Sequence, residues 1–127
     1  MTEGRPVPFF GDGSSERDYT FIDDILDGVE GALRCVTTGD PAFEIVNLGK
    51  SRTVSVARMV ELLGGKLGVT PDLQRSPSQP GDVRRTFADV SKARRLLGYE
   101  PSTSFEAGLD GFLQLLLQQN AVQGVTS

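Results

Sequence analysis

The 127-residue chain contains no histidine, no tryptophan and a single cysteine, Cys35. The lack of histidine excludes a Ser-His-Asp triad, a Cys-His dyad, histidine metal ligands and a histidine general base. One cysteine cannot form an intramolecular disulfide or a cysteine-rich zinc site. Any chemistry must therefore come from carboxylates, guanidinium groups, hydroxyls and the backbone.

Long apolar runs and an excess of positive charge are also missing. The longest apolar cluster, residues 115–117, is far shorter than the roughly 20 residues that a membrane-spanning helix needs. The formal charge of −4 argues against a nucleic acid or an anionic membrane as partner. The unpaired cysteine and the absence of a signal peptide predict a cytoplasmic protein.

The composition that remains is typical of one globular domain, with 38% hydrophobic and 24% charged residues. Apolar periodicity and glycine or proline stops predict strands and helices in alternation. The expected strands or extended segments are residues 7–10, 17–22, 43–48 and 72–75, and the expected helices begin near Ile22, Val56, Asp89 and Thr103. Residues 118–127 have lost the helical period, so the prediction is a folded lobe over 1–117 and a tail over 118–127.

The helix ends carry recognisable capping residues. Asp89 is expected to cap the third helix, and Thr103 with Glu106 forms the capping-box pattern of the fourth. The apolar residues after Ile22 recur with helical spacing and predict an amphipathic first helix. The fourth helix is expected to bury five side chains: Phe105, Leu109, Phe112, Leu113 and Leu116.

Three segments contain residues that could bind a ligand. The first is the turn GDGSSERDY, in which glycine allows close backbone approach and Arg17 could bind phosphate; the alternative is a polar turn with Arg17 paired to a carboxylate. It matches neither a Walker loop nor a dinucleotide fingerprint. The second is the set Asp18, Asp23 and Asp24, which could serve acid–base or magnesium chemistry. The dipole of the helix that follows explains Asp23 and Asp24 equally well.

The third segment is PGDVRRTFAD, in which a rigid proline and a glycine precede one carboxylate and two arginines. Asp82 could accept hydrogen bonds from a ribose diol, and Arg84 or Arg85 could bind phosphate. A basic surface that only meets solvent is the alternative interpretation.

Taken together, these blocks resemble one family in order and spacing over about residues 4–117. They are GDGSSERDYTFIDDILDGVEGAL, FEIVNLG with a helix after it, and QPGDVRRTFADVSKARRLLGYEPSTSFEAGLDGFL. The chain is similar to the C-terminal, substrate-binding portion of the extended short-chain dehydrogenase/reductases, and within these to NAD-dependent nucleotide-sugar epimerases of the UDP-glucose or UDP-glucuronate 4-epimerase type. This implies an α/β fold with a small mixed or parallel sheet and about four helices, without the Rossmann domain.

The resemblance also implies six residues that bind a UDP-sugar. The arginine of the R-D-Y block would bind the diphosphate, with the tyrosine beside it, and the strand before the G-D-G turn would contact uracil through its backbone. The aspartate of P-G-D-V would lie at the ribose. The six are Pro8, Phe9, Phe10, Arg17, Tyr19 and Asp82. Some relatives carry a further phosphate-binding arginine where this chain has Gln79, and Arg84 and Arg85 are nearby candidates to replace it.

The family's catalytic motifs do not occur in this sequence. A glycine-rich NAD loop, a Ser/Thr and a Y-x-x-x-K pair belong to the Rossmann domain of a full-length member, whereas Tyr19 is followed by Asp23 and Tyr99 by Thr103. We therefore expect this chain to have no catalytic residue and to bind no cofactor by itself, with NAD implied for the full-length parent. The missing N-terminal Rossmann domain is then an expected partner.

Two functions stay open at this point. The chain is either the UDP-sugar-binding lobe of an NAD-dependent epimerase, or a non-catalytic nucleotide-sugar sensor or protein-interaction module derived from that family. The sugar, and the choice between epimerase, decarboxylase and dehydratase, stay open too. Large apolar residues in the strands over 7–10 and 43–48 predict self-association through the face that a Rossmann domain would cover.

Overall fold

The computed structural model describes residues 4–39 and 43–123, and it confirms the α/β class with four helices and a small sheet. The elements follow one another in the order β1 (Val7–Phe10), β2 (Glu16–Arg17), α1 (Ile22–Thr38), β3 (Val54–Ser55), α2 (Val56–Leu67), β4 (Leu73–Ser76), α3 (Ser91–Leu97) and α4 (Phe105–Gln123). All four predicted helices are present. The strands over 7–10 and near 72–75 are present as well.

The strands form two pairs. β1 runs parallel to β4, with Val7 opposite Leu73 and Phe10 opposite Ser76. β2 runs antiparallel to β3 and is joined on its other side by a parallel bridge between Glu16 and Arg85. The extended segment predicted over residues 17–22 is therefore shorter than expected, and it begins one residue earlier.

The strand predicted over residues 43–48 is not formed. These six residues carry no regular secondary structure, and Phe43 is 91% exposed. Only Val46 and Leu48 pack against the core. A strand needs a hydrogen-bonded neighbour, and the described residues place none beside this segment. High β-propensity alone was therefore not enough to make it a strand.

Helix α1 is amphipathic as predicted, but its apolar face is turned outward. Its inward face consists of Asp24, Gly28 and Gly31. A Cβ on Gly28 would lie 2.6 Å from a methyl carbon of Leu48, so a larger residue here would force Leu48 to shift. The outward face carries five side chains that are each more than half exposed: Ile22, Leu26, Val29, Leu33 and Val36.

The core lies between α1 and α3. Its fully buried members are Val90, Ala93 and Tyr99, and the partly buried residues around them are Val46, Leu48, Ala88 and Leu97. The Tyr99 hydroxyl donates a hydrogen bond of 3.1 Å to the Gly49 carbonyl. Burial raises the pKa of this hydroxyl, so the side chain stays neutral within the core.

The helix termini differ from the sequence prediction at three places. Val90 rather than Asp89 precedes α3, although the Asp89 carboxylate accepts a hydrogen bond from the Ser91 amide. Ser104, not Thr103, caps α4 by accepting from the Ala107 amide. Helix α4 continues to Gln123, so residues 118–123 extend the helix instead of forming a tail; residues 124–127 lie outside the described residues.

Helix α4 buries part of the predicted face. Leu109 and Leu113 are buried, and Phe105 and Leu116 are half-buried, as the periodicity indicates. Phe112 is 55% exposed, which contradicts the prediction. The helix therefore contacts the lobe along a narrower stripe than its apolar content suggests.

Asp24 ties the start of α1 to the segment before α4. It is 2% exposed, and its carboxylate accepts hydrogen bonds from the Ser102 amide, the Thr103 amide and the Thr103 hydroxyl. The helix dipole explains an acidic residue here only in part, because these donors lie 78 and 79 positions away. Thr103 lies one position before the cap residue Ser104, and its hydroxyl bonds to Asp24.

We expect Asp24→Ala to lower the free energy of unfolding by about 2–4 kcal/mol, because two amides and a hydroxyl lose a buried, charged acceptor. Asp23→Ala is the matched control, since Asp23 is the exposed neighbour on the same helix turn. It should cost less than about 1 kcal/mol. Urea unfolding of both variants measures the difference, and equal losses would contradict the assigned role.

Candidate functional site

The β2 strand brings Arg17 to the P-G-D-V loop. The Glu16 amide donates to the Arg84 carbonyl at 2.9 Å, and the Thr86 amide donates back to the Glu16 carbonyl at 3.1 Å. Arg17 follows Glu16 directly, and its Nη2 donates to Oδ1 of Asp82 at 2.5 Å. Its Nη1 donates to the Glu16 carbonyl at 2.9 Å. Two predicted site residues, 65 positions apart in sequence, are therefore in contact.

A tight turn fixes the position of Asp82. The Asp82 amide donates to the Gln79 carbonyl at 3.1 Å, and Gly81 has a φ of 85°. Proline at the second position and a left-handed glycine at the third are the residues that a type II turn requires. The turn presents the carboxylate toward Arg17, which keeps a side-chain exposure of 24% against 41% for Asp82.

The β1 strand offers backbone groups at an open edge. The Val7 amide donates to the Asp72 carbonyl and the Gly11 amide to the Ser76 carbonyl, so alternate residues of this segment face β4. Pro8 and Phe10 therefore direct their backbone groups away from β4. The described residues place no strand on that side. The Phe10 amide and two carbonyls are thus open to a ligand.

Phe9 has a different place from its neighbours. Its ring is 4% exposed and packs beneath the G-D-G turn, where a Cβ on Gly13 would lie 2.5 Å from it. The guanidinium group of Arg75, a residue of β4, lies 5.1 Å from the centroid of the Phe9 ring. The backbone groups of Phe9 face β4, so the open backbone groups of this strand are those of Pro8 and Phe10.

Tyr19 lies two residues after Arg17, the last residue of β2, and packs against α4. Its ring centroid is 5.1 Å from that of Phe105. Burial raises the pKa of the Tyr19 hydroxyl, against a smaller opposing effect of the Arg17 charge. The charge of Arg17 therefore acts on the Tyr19 hydroxyl, while the Tyr19 ring packs against the apolar ring of Phe105.

Further charges surround the Arg17–Asp82 pair. Arg85 forms an ion pair of 3.2 Å with Glu16 and lies over the Phe87 ring at 5.2 Å. Hydrogen bonds from Ser14 hold the pKa of Asp12 below its usual value, and the charge of Arg84 acts in the same direction. Arg84 is thus close to the G-D-G turn, and Arg85 is engaged with β2.

Asp18 is the residue whose role the sequence did not reveal. Its carboxylate accepts hydrogen bonds from the amides of Lys50, Ser51 and Ala88 at 3.0–3.1 Å, and its own amide donates to Thr86. Three segments therefore meet at this side chain. The acidic set including Asp18 was one candidate for acid–base or magnesium chemistry, but among the described residues no acidic group has the arrangement of a metal site.

Two cavities lie near the site but do not include its charged pair. An apolar cavity of about 390 Å³ lies between the start of α1 and α4, with Tyr19, Phe21 and Phe105 in its walls. A more polar cleft of about 490 Å³ lies beside Asp18 and residues 46–49. Neither is lined by Arg17 or Asp82, whose side chains are 24% and 41% exposed.

The G-D-G turn differs from the dinucleotide-binding fingerprint. The sequence holds no G-x-G-x-x-G turn, and the two glycines of the G-D-G turn lead into a strand rather than a helix. In the part of the chain that the structure describes, no helix is long and apolar enough to cross a membrane. What the geometry offers is an arginine, a carboxylate and an open backbone edge on an α/β lobe.

Comparison with known proteins identifies the family of this α/β lobe. The family model described as GDP-mannose 4,6 dehydratase matches residues 1–112. The chain therefore belongs to this family of extended short-chain dehydrogenase/reductases that act on nucleotide-sugars, and it corresponds to their C-terminal part. The resemblance seen in the sequence is confirmed.

Individual relatives agree with the family. The chain is 37% identical over 108 residues to a UDP-glucuronate 4-epimerase of Thermodesulfobacterium geofontis, covering 84% of this chain and 32% of the relative. It is 32% identical over 111 residues to a UDP-glucose 4-epimerase of Mycolicibacterium smegmatis, covering 86% and 34%. The chain thus spans about a third of the length of the curated relatives it matches.

Solved structures show the same extent of similarity. UDP-glucuronic acid 4-epimerase from Bacillus cereus, in complex with UDP-glucuronic acid and NAD, superposes with a TM-score of 0.79 at 35% identity. The match covers 87% of this chain and 34% of that one. UDP-glucose 4-epimerase from Thermotoga maritima, with UDP-glucose, gives a TM-score of 0.77 at 32% identity, over 91% and 37%.

Because Asp18 holds three backbone segments beside Arg17, we expect Asp18→Ala to lower the free energy of unfolding by about 1.5–3 kcal/mol. Asp12→Ala is the control, since Asp12 is exposed and bonds only within its own turn, to Ser14. It should have a much smaller effect. Thermal or urea unfolding measures both, and a loss at Asp18 no larger than at Asp12 would contradict the prediction.

Proposed function

We propose that this chain is the UDP-sugar-binding lobe of an NAD-dependent nucleotide-sugar 4-epimerase and is catalytically incomplete by itself. The observation that carries the proposal is the contact between Arg17 and Asp82, in which a guanidinium group suited to phosphate lies beside a carboxylate and both side chains are partly exposed. The relatives named for epimerase activity, described above, support the same activity for the whole protein.

In this proposal each site residue binds a different part of the nucleotide. Arg17 would bind the diphosphate, for which its planar fork of donors is suited. Asp82 would accept hydrogen bonds from the ribose hydroxyls. The open backbone groups of Pro8 and Phe10 would contact the uracil edge, and Tyr19 would line the neighbouring surface.

The lobe would contribute binding rather than chemistry. A nucleotide held at a distance from the reacting carbon supplies binding energy that orients the sugar. The relatives solved with NAD support this cofactor for the full-length protein. The residues of this chain do not fit a dinucleotide, so in the proposal NAD and the catalytic groups belong to the Rossmann part of the enzyme.

The proposed partner is that Rossmann domain, which would cover the outward face of α1. Five large apolar side chains on α1 are exposed, and the unpaired segment 43–48 lies next to the inner side of this helix at Leu48. Apolar patches of this kind mark interfaces, and an unpaired β-prone segment favours strand pairing. The hypothesis of a stand-alone sensor or interaction module gains no support from the relatives described above.

We expect Arg17→Ala to weaken UDP binding by about 1.5–3 kcal/mol, the range for a hydrogen bond to a charged group. Isothermal titration calorimetry of the chain with UDP measures the change. The absolute affinity should be low, because part of the site belongs to another domain and association carries its own entropic cost.

Arg58→Ala is the matched control for this measurement. Arg58 is also an arginine in a surface ion pair, with Glu61 at 2.9 Å, but it lies on α2. Its loss should leave UDP affinity unchanged. If the affinity were the same for wild type and Arg17→Ala, the proposed phosphate role would be wrong.

The exposed face of α1 predicts that the isolated chain self-associates. Light scattering over a concentration series should show an apparent mass rising above 13.7 kDa. Replacement of Leu26 and Leu33 by lysine should reduce this rise, because both side chains are more than half exposed on the apolar face. A constant mass at all concentrations, with no binding of a hydrophobic dye, would contradict the prediction.

A further inference from the structure

The contact between Arg17 and Asp82 has a consequence for ligand selectivity. We propose that Asp82 acts as a tethered anion that competes for the phosphate-binding position of Arg17 in the free protein, so that simple anions bind less tightly and ligands with a diol next to the phosphates are favoured. This inference rests on the proposed function, since it takes a nucleoside diphosphate as the ligand.

The first step is that Arg17 is already engaged. Its two terminal nitrogens donate to the Asp82 carboxylate and to the Glu16 carbonyl. These bonds use two of the five N–H donors of the guanidinium group, and a phosphate that binds at Nη2 competes with Asp82 there. A carboxylate and a phosphate oxygen are equivalent acceptors for a guanidinium group, so the two compete directly.

The second step is that Asp82 is held in place by its own loop. The 79–82 turn is closed by an amide-to-carbonyl hydrogen bond of 3.1 Å and contains a proline and a left-handed glycine. Residues 84–86 are bonded to β2 on both sides of Glu16. The carboxylate therefore stays close to Arg17, and its effective concentration there is high.

The third step is that a ligand bound to Arg17 leaves the Asp82 carboxylate in need of another hydrogen-bond donor. Pyrophosphate bound to Arg17 offers the Asp82 carboxylate no hydrogen-bond donor to replace the arginine. It also adds negative charge beside this carboxylate. The ribose of a nucleoside diphosphate offers two hydroxyl donors within the same molecule as the phosphates. A nucleoside diphosphate thus replaces the lost arginine contact, and the exchange favours ligands that carry both groups.

The test compares Asp82→Asn with wild type by calorimetry, using UDP, inorganic pyrophosphate and 2′,3′-dideoxyuridine 5′-diphosphate. We expect pyrophosphate to bind Asp82→Asn on the order of two- to fivefold more tightly, the scale of a partly exposed ion pair. UDP should bind the variant more weakly, and the preference for UDP over its dideoxy analogue should disappear. A purely structural role for Asp82 would weaken all three ligands together.

Glu61→Gln is the control, because it removes the same charge from another arginine–carboxylate pair at the surface. It should change none of the affinities. Pyrophosphate affinity that is unchanged or lower in Asp82→Asn, or raised equally in Glu61→Gln, would overturn the inference, as would the absence of pyrophosphate binding to every variant.

The outcome for Arg17→Ala separates this inference from the proposed function. If that variant binds UDP and pyrophosphate as wild type does, the proposed function itself fails. If it loses both ligands while Asp82→Asn leaves pyrophosphate affinity unchanged, only the role of Asp82 as a competing anion fails.

Discussion

A single carboxylate, that of Asp18, holds the segment after β2 against residues 50–51 and residues 86–88. Amides from residues 50, 51 and 88 converge on it, and its own amide is bonded to Thr86. The neighbouring residue in sequence is Arg17, so the same backbone that Asp18 anchors also carries the guanidinium group proposed to bind phosphate. Hydrogen bonds to a charged acceptor are stronger than neutral ones, which lets a lobe with two short strand pairs hold a defined arrangement.

The buried polar groups of the lobe are hydrogen-bonded, whereas many of its apolar side chains are not buried. The described residues leave no buried side-chain nitrogen or oxygen without a hydrogen bond. By contrast, the apolar face of α1 and the side chains of Phe43 and Ile45 lie in solvent. Exposed apolar area of this extent costs hydrophobic stabilisation that a second layer would recover. The sequence therefore encodes a fold that is consistent within itself and incomplete at one face.

The sequence predicted what depends on local pattern and missed what depends on distant neighbours. Helical periodicity and glycine stops located all four helices, because both act within a few residues. Periodicity could not tell which face of α1 is buried, nor supply a neighbour for residues 43–48. Arg17 and Asp82 came from motif resemblance. The roles of Asp18 and Asp24 stayed hidden, because their donors lie 32 to 79 positions away along the chain.

The pairing of Arg17 with Asp82 unites the two interpretations that the sequence left open for Arg17. The arginine is paired with a carboxylate, and the partner is the residue expected at the ribose. An arginine loses about 2 kcal/mol of rotamer entropy when it is fixed. Because Asp82 and the Glu16 carbonyl already fix it in the free lobe, a nucleotide would not bear that cost again. In the proposed function the ion pair thus orders the site before binding, and a ligand with a diol would offer Asp82 new hydrogen-bond donors when the arginine binds phosphate.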